Sequence, residues 1–281
     1  MCIRDRHNLS LNIKGKLIDL KKPKIMGILN LSKDSFYDGG KYSSKDKALK
    51  QTEKMLNEGA DIIDIGAFTS KPGSKLFSAE KEKQILFPIL EVLINNFPEK
   101  LFSIDTFRSE IAKNSIEIGA SIINDISGGK FDKKMFEVIA KNKVPYVMMH
   151  MKGTPKTMQL NPKYKNVVID VLNFFVKQIK IAQNIGVTDI IIDPGFGFGK
   201  SLNHNFELLK ELNLFKKINC PILIGLSRKS MIYKILNGNP NQSLNGTTIL
   251  NTFALINGAN IIRVHDVKEA KECITLCEYL Y

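Results

Sequence analysis

Seven of the eight short apolar runs in this chain end in polar residues that can grip a ligand. Asn30 closes the first run. Asp105 and Thr106 close the third, Asn124 and Asp125 the fourth, His150 the fifth and Asp193 the sixth. The seventh leads into Ser227, Arg228 and Lys229, and the eighth carries Arg263, His265 and Asp266. Carboxylates accept hydrogen bonds, ammonium and guanidinium groups donate them, and amides do both. Each residue alone has a plain alternative, since Asp or Asn at such a place often caps the next helix. Their recurrence is harder to assign to capping, because charged groups are costly to bury unless paired. A ring of them at one rim implies a polar ligand held in a pocket.

Two connecting segments carry further candidates. LSKDSFYDGGKYSS (31–44) is long and holds Asp34, Asp38 and paired glycines. FTSKPGSKLFS (68–78) is rich in Ser, Pro and Gly. Loops of this kind in a compact domain are commonly functional. The run DPGFGFGKS (193–201) spaces three glycines with phenylalanines. It matches neither GxxxxGK[ST] nor a clean GxGxxG opening a helix, so it is a weak nucleotide signal. An aromatic-lined turn that lets a flat ring approach the backbone suits it better.

The elements that must position these residues alternate along the chain. Strands are expected at 24–30, 61–66, 101–106, 121–126, 145–150, 189–194, 221–227 and 261–266. Their near-continuous apolar character suits strands buried on both faces of a parallel sheet. Amphipathic helical patterns fill the gaps at 45–59, from about Ser78 to Asn96, 108–119, 134–143, 164–186, 204–217, 228–236, 246–258 and 268–280. Eight βα units favour a closed (β/α)8 barrel, the TIM-barrel form of the α/β class, over an open sheet. LSLNIKGKLIDL (9–20) reads as a small hairpin before the barrel, with Gly15 at its turn. No linker divides the chain, so a single domain over 9–281 is expected. The start, MCIRDR, is unlike the rest, and residues 1–8 are expected to be a disordered or non-native head.

Bulk properties set bounds. The chain has 281 residues, 43% hydrophobic and 25% charged, ordinary for a soluble globular protein. The four cysteines, Cys2, Cys220, Cys273 and Cys277, form no CxxC pair and read as reduced thiols. A net charge of +13 is compatible with an anionic substrate. The lysines are scattered and no basic run interleaves with aromatics, so no nucleic-acid partner is expected. No apolar stretch approaches the ~20 residues that span a membrane. A cytoplasmic protein without a membrane partner is the expectation.

The motifs together resemble the dihydropteroate synthase family. They are MGILNLSKDSFYDGG (26–40), DIIDIGAFTSKPGS (61–74), SIDTFR (103–108), INDISGG (123–129), HMKGTPKTMQ (150–159), IIDPGFGFGK (191–200), GLSRKS (225–230) and RVHDVKEA (263–270). They occur in the family's order and span the chain from about residue 11 onward. The resemblance implies a pterin-binding TIM barrel and a transferase of folate synthesis. A dihydropterin bearing a CH2–pyrophosphate loses pyrophosphate, and the aniline nitrogen of p-aminobenzoate attacks the methylene carbon. The product is dihydropteroate. Mg2+ as the metal, a homodimer through the last helices and sulfonamide targeting are also implied. The apolar run ILNTFALI (249–256) could serve the dimer or could equally be a barrel-packing face.

The same resemblance implies residue roles that make physical sense. Asp193 would accept from the amino-pyrimidinone edge of the pterin in bidentate fashion. Asn124 suits the mixed edge beside it. Asp105 would bind the far ring and stabilise developing positive charge. Lys229 would donate to the pterin carbonyl side. Arg263 would stack on the pterin. Arg263, His265 and Asn30 would hold the pyrophosphate, with Asn30 also a Mg2+ ligand, since that ion takes few protein ligands. Asp105, Lys229, Arg263 and His265 would thus form the catalytic set. For p-aminobenzoate, Ser230 at a helix start would favour the carboxylate. Phe198 and Pro72 would supply apolar walls, and Phe36, Ser70 and Lys71 would arrive with the two loops.

The chain departs from the family pattern where an ESTRPG-like segment reads FTSKPG, with Phe68 for an acid and Lys71 for arginine. Lysine keeps the charge but loses the bidentate fork. Ser32 and Lys33 stand where Thr-Pro is common, so that loop is expected to be more flexible. Activity is expected to be retained, with weaker binding of the second substrate or an altered sulfonamide response. Two other readings share the pterin grip. A methyltetrahydrofolate:corrinoid methyltransferase barrel would not need the SKDSFYDGG and TSKPG loops or Lys229. A catalytically inactive pterin-binding paralogue would have no use for Asn30, Lys229, Arg263 and His265.

Overall fold

Runs rich in isoleucine and valine favour extended backbone, and each run here is short enough to be one buried strand. A computed structural model describes residues 9–31, 40–67, 78–155 and 157–280, without the side chains of 40–43. The hairpin comes first, β1 (Ser10–Ile13) against β2 (Lys16–Asp19), turning at Gly15 with φ +81°. The eight barrel strands are β3 (Lys24–Asn30), β4 (Ile62–Gly66), β5 (Leu101–Asp105), β6 (Ile122–Asp125), β7 (Tyr146–Met149), β8 (Ile190–Asp193), β9 (Leu223–Ile224) and β10 (Ile261–Val264). All pair in parallel, in the order β8-β7-β6-β5-β4-β3-β10-β9. An Ile192–Ile222 bridge joins β8 to the segment before β9 and closes the ring.

Helices surround the ring: α1 (Gly40–Asn57), α2 (Ala79–Asn96), α3 (Ser109–Ile118), α4 (Met135–Asn142), α5 (Val167–Ile185), α6 (Leu202–Lys210), α7 (Ser230–Tyr233), α8 (Leu244–Ile256) and α9 (Val267–Leu280). Side-chain caps open α2, α5 and α6. Ser78 accepts from the Lys81 amide at 3.2 Å, and Asn166 accepts from Ile169 at 3.0 Å. Three expected spans differ most. The 204–217 pattern splits into α6 and a 3-10 helix, Leu212–Ile218, whose buried Leu212 and Phe215 are three apart and suit the tighter turn. The 228–236 helix shrinks to the four residues of α7 and ends in turns before Asn237, which has φ +52°. The 221–227 strand keeps only Leu223–Ile224, and Arg228 at φ +56° ends the extended course.

Strand periodicity sorts the side chains into two cores. Met26, Ile62, Ile122, Val147, Ile191, Leu223 and Ile261 fill the barrel interior with Leu11, Ile13 and Leu20 of the hairpin. Their neighbours, including Ile63, Ile104, Ile123, Tyr146, Ile192 and Ile262, face the helices. The hairpin thus plugs the amino-terminal end. A mostly apolar cavity of about 140 Å³ lies there, between the hairpin and Ile62 and Leu101, at the opposite end from the polar rim. Among the described residues no helix is long and apolar enough to cross a membrane. Residues 1–8, and with them the expected head and Cys2, lie outside the described residues. Among the described residues, Cys220, Cys273 and Cys277 form no disulfide.

Candidate functional site

The two-residue period that places Met26, Ile62, Ile122 and Ile191 inside the barrel carries Asn30, Asp64, Asn124 and Asp193 to the same side higher up. Asp105 and Arg263 join them, as their mutual contacts require. Arg263 donates through Nε to Asp64 Oδ2 at 2.6 Å and through Nη2 to Asp105 Oδ2 at 3.0 Å. Asn124 Nδ2 donates to the same Asp64 oxygen at 3.0 Å. Asp64 Oδ1 and Asp105 Oδ1 are buried with no partner among the described residues. Unpaired carboxylate oxygens are expensive to bury and mark a place where a ligand donor belongs.

The electrostatics follow from crowding in a dry interior. Burial pushes the Asp105 carboxyl up to about 7; Arg263 pulls it down, and Asp64, Glu82 and Asp125 push it up. Burial also raises Asp193, against the pull of Lys229, the Gly195 amide, Arg263 and Lys200. Lys229 is lowered to about 8 by burial, with Asp193 opposing and Arg263 assisting. The Lys229 ammonium donates to the Phe196 carbonyl and lies 5.0 Å from the centre of the Phe198 ring. His265 is held below its ordinary value, first by lost solvation and then by Arg263, Arg228 and Lys229. The residue is exposed, so solvent tempers that shift. Its Nδ1 lies 3.0 Å from Ser227 Oγ.

The glycine-phenylalanine turn after β8 is fixed by side chains. Lys200, 2% exposed, reaches back under it. Its ammonium lies 2.9 Å from the Gly195 carbonyl, 3.1 Å from that of Phe198 and 2.9 Å from His150 Nδ1. Burial holds both Lys200 and the His150 imidazole well below their ordinary pKa values. Gln159 bonds the Gly197 carbonyl and Tyr164 that of Gly199. From Gly195 to Gly199, every carbonyl therefore has a side-chain donor, that of Phe196 being Lys229. The glycines are required for another reason than the one expected from sequence. Gly195 and Gly199 have φ of +71° and +65°, and a Cβ at either would collide with the His150 or Lys152 carbonyl. The close approach is to the segment after β7, not to an open pocket.

Several rim residues serve the fold. Asp125 faces outward, accepting from the Ser127 and Gly129 amides at 2.7 and 3.0 Å and from the Tyr146 hydroxyl at 2.7 Å. Thr106 donates to Glu82 at 2.7 Å. Arg228 pairs with Asp266 through two bonds of 3.0 and 2.5 Å. Asn30 is half-buried at the end of β3, and Phe198 is half-buried beside Phe107, Ile126, Met149, Met151 and Met158. Ser230 heads a helix of only four residues, so the dipole expected to draw a carboxylate there is weak. Phe36, Ser70, Lys71 and Pro72, like Ser32, Lys33 and Phe68, lie outside the described residues. Asp64 is the residue that sequence reasoning missed. A carboxylate inside the β-branched run DIIDIG was its signal, because a strand buried on both faces has no solvent for it.

Comparison with known proteins agrees with this geometry. The family model described as a pterin binding enzyme matches residues 26–265. The dihydropteroate synthase of Escherichia coli strain K12 is 42% identical over 272 residues, 96% of each chain. The Yersinia pestis dihydropteroate synthase, solved with a sulfonamide drug complex, superposes with a TM-score of 0.91 at 38% identity, covering 97% of this chain and 99% of that one. The Xanthomonas albilineans enzyme, solved with 7,8-dihydropteroate, superposes with a TM-score of 0.86 at 32% identity, covering 97% and 98%. With the family model covering most of the barrel and relatives matching nearly end to end, this chain belongs to the dihydropteroate synthase family of pterin-binding enzymes.

Proposed function

We propose that this chain condenses 6-hydroxymethyl-7,8-dihydropterin pyrophosphate with p-aminobenzoate, releasing pyrophosphate and forming 7,8-dihydropteroate in folate synthesis. The observation that carries the reading is the inward set of carboxylates and an amide, Asp105, Asn124 and Asp193, facing Arg263 and Lys229 at one end of the barrel. Asp193 accepts from the donor edge of the pterin; one of its oxygens already takes the Gly195 amide at 2.7 Å, which fixes the carboxylate plane. Asn124 meets the adjoining edge, and Lys229 donates on the pterin carbonyl side. Asp105 stabilises positive charge as the carbon–oxygen bond to pyrophosphate breaks. The Arg263 Nη1 makes no hydrogen bond among the described residues and remains for the leaving group, with His265 and Asn30. The aniline nitrogen attacks as the neutral amine, forming the carbon–nitrogen bond and losing its proton to solvent, so no general base is needed. Phe198 and Ser230, together with Phe36, Ser70, Lys71 and Pro72, receive p-aminobenzoate.

Mg2+ suits this donor set. Asn30 offers one neutral amide oxygen, and among the described residues no group of three His, Cys, Asp or Glu could hold an ion alone. An ion bound mainly by phosphate oxygens and water is the usual state of Mg2+. When bound it would offset charge on the leaving pyrophosphate. The protein works in the cytoplasm and as a homodimer through α8 and α9. That pairing is supported by Ile249, Phe253, Leu276 and Tyr279, which are exposed on these helices. A sulfonamide would occupy the p-aminobenzoate site.

The test is a coupled assay of pyrophosphate release with the dihydropterin pyrophosphate and Mg2+, with and without p-aminobenzoate. Dihydropteroate formation needing both substrates and lost in Asp193→Ala is the expected result. Folded protein that binds pterin without turnover would overturn the synthase reading.

A further inference from the structure

Asp64 has no solvent exposure, faces the interior and touches two groups of the site. Two consequences follow. An amide that donates through Nδ2 into a carboxylate turns its oxygen the other way, because the flipped amide would set oxygen against oxygen. Asn124 therefore presents an acceptor away from Asp64. The second consequence is one of charge. Asp64, Asp105 and Asp193 stand against Arg263 and Lys229, so these five groups, fully ionised, carry one net negative charge. Arg263 is divided between Asp64 and Asp105, at 2.6 and 3.0 Å.

We propose that Asp64 is a positioning residue for the reaction: it orients the Asn124 amide and the Arg263 guanidinium, and its charge adds negative potential where the pterin-methyl cation develops. This rests on the synthase reading above. The charged groups facing Asp105 are Arg263 from β10, Asp64 from β4, Glu82 from α2 and Asp125 from β6. Removing the charge of Asp64 removes one repulsion and leaves Asp105 as the carboxylate that Arg263 pairs with. The acid limb of activity, set by ionisation of Asp105, then moves to lower pH.

Asp64→Asn keeps an acceptor for Asn124 and Arg263 and loses the charge. Its kcat is expected to fall on the order of 100-fold. KM for the dihydropterin pyrophosphate should change less than about threefold, since the lost interaction acts on the transition state. The acid limb of kcat/KM should shift down. A merely structural residue would lower stability and leave that limb in place. Unchanged kcat, or an unmoved limb, overturns the proposal. If Asp64→Asn does not fold, Asn124→Asp tests the same contact by setting a second carboxylate against Asp64. Its affinity for the dihydropterin pyrophosphate, read by calorimetry, should weaken with rising pH more steeply than that of the wild type. Equal pH dependence overturns the proposal. Absence of wild-type turnover would overturn the synthase reading instead, and the calorimetric comparison would still decide the role of Asp64.

Discussion

Asp105→Asn should make the protein more stable at pH 8 while removing its activity. The carboxyl is buried, with one oxygen on Arg263 and the other without a partner among the described residues. Burial, with help from Asp64, Glu82 and Asp125, holds its pKa at about 7 against an ordinary value of 3.8, Arg263 opposing. A folded pKa above the unfolded one means that the fold prefers the neutral acid. That preference acts fully below the unfolded value and is lost as pH rises through the folded one. A gap of about 3 units corresponds to about 4 kcal/mol at most. Asn is neutral at every pH and escapes this cost. Arg263 then exchanges a charged acceptor for an amide oxygen, which returns roughly half of the gain. The net expectation at pH 8 is about 2 kcal/mol, or an increase in Tm of about 5 °C. Thermal unfolding of both proteins at pH 8 and near pH 5, followed by circular dichroism, reads it. The advantage should shrink toward the lower pH, with kcat down by about 100-fold or more. A variant less stable than wild type at pH 8, or an advantage independent of pH, would refute the reasoning.

Lys200→Met removes the donor beneath the Gly195 and Phe198 carbonyls. Stranded carbonyls outweigh the relief of a buried ammonium, so a loss of about 2 kcal/mol in urea unfolding is expected, with a raised KM for the dihydropterin pyrophosphate. Equal midpoints would show that the turn holds itself. The pH profile of kcat/KM should be a narrow bell. Activity falls below about 7 as Asp105 protonates, and above about 8 as Lys229 loses its cation. A flat profile between about pH 6 and pH 9 would separate both groups from the rate. Phe253, 41% exposed on α8, tests the dimer. Phe253→Glu should sediment as a monomer where wild type is a dimer, and identical sedimentation would remove α8 from the interface.

The barrel was legible in the sequence because buried parallel strands write themselves as apolar runs, and the eight runs became β3 to β10. The rim was legible as a set and misread in its parts. Asn124 and Asp125 are adjacent, yet the pleat turns one to Asp64 and the other to the Tyr146 hydroxyl on the helix side. His150 was singled out at the end of β7, but its partner is Lys200, 50 residues away, a contact no local pattern encodes. Arg228 and Asp266 pair with each other through two bonds. Satisfaction separates the two classes. Among the described residues, the carboxylate oxygens buried without a partner belong to Asp64 and Asp105, the two acids that share Arg263. A fold selected only for stability would not keep both, since one guanidinium cannot neutralise two carboxylates and either oxygen costs free energy until a donor arrives. Their persistence side by side in the barrel interior is what distinguishes a site for a developing cation from a structural ion pair.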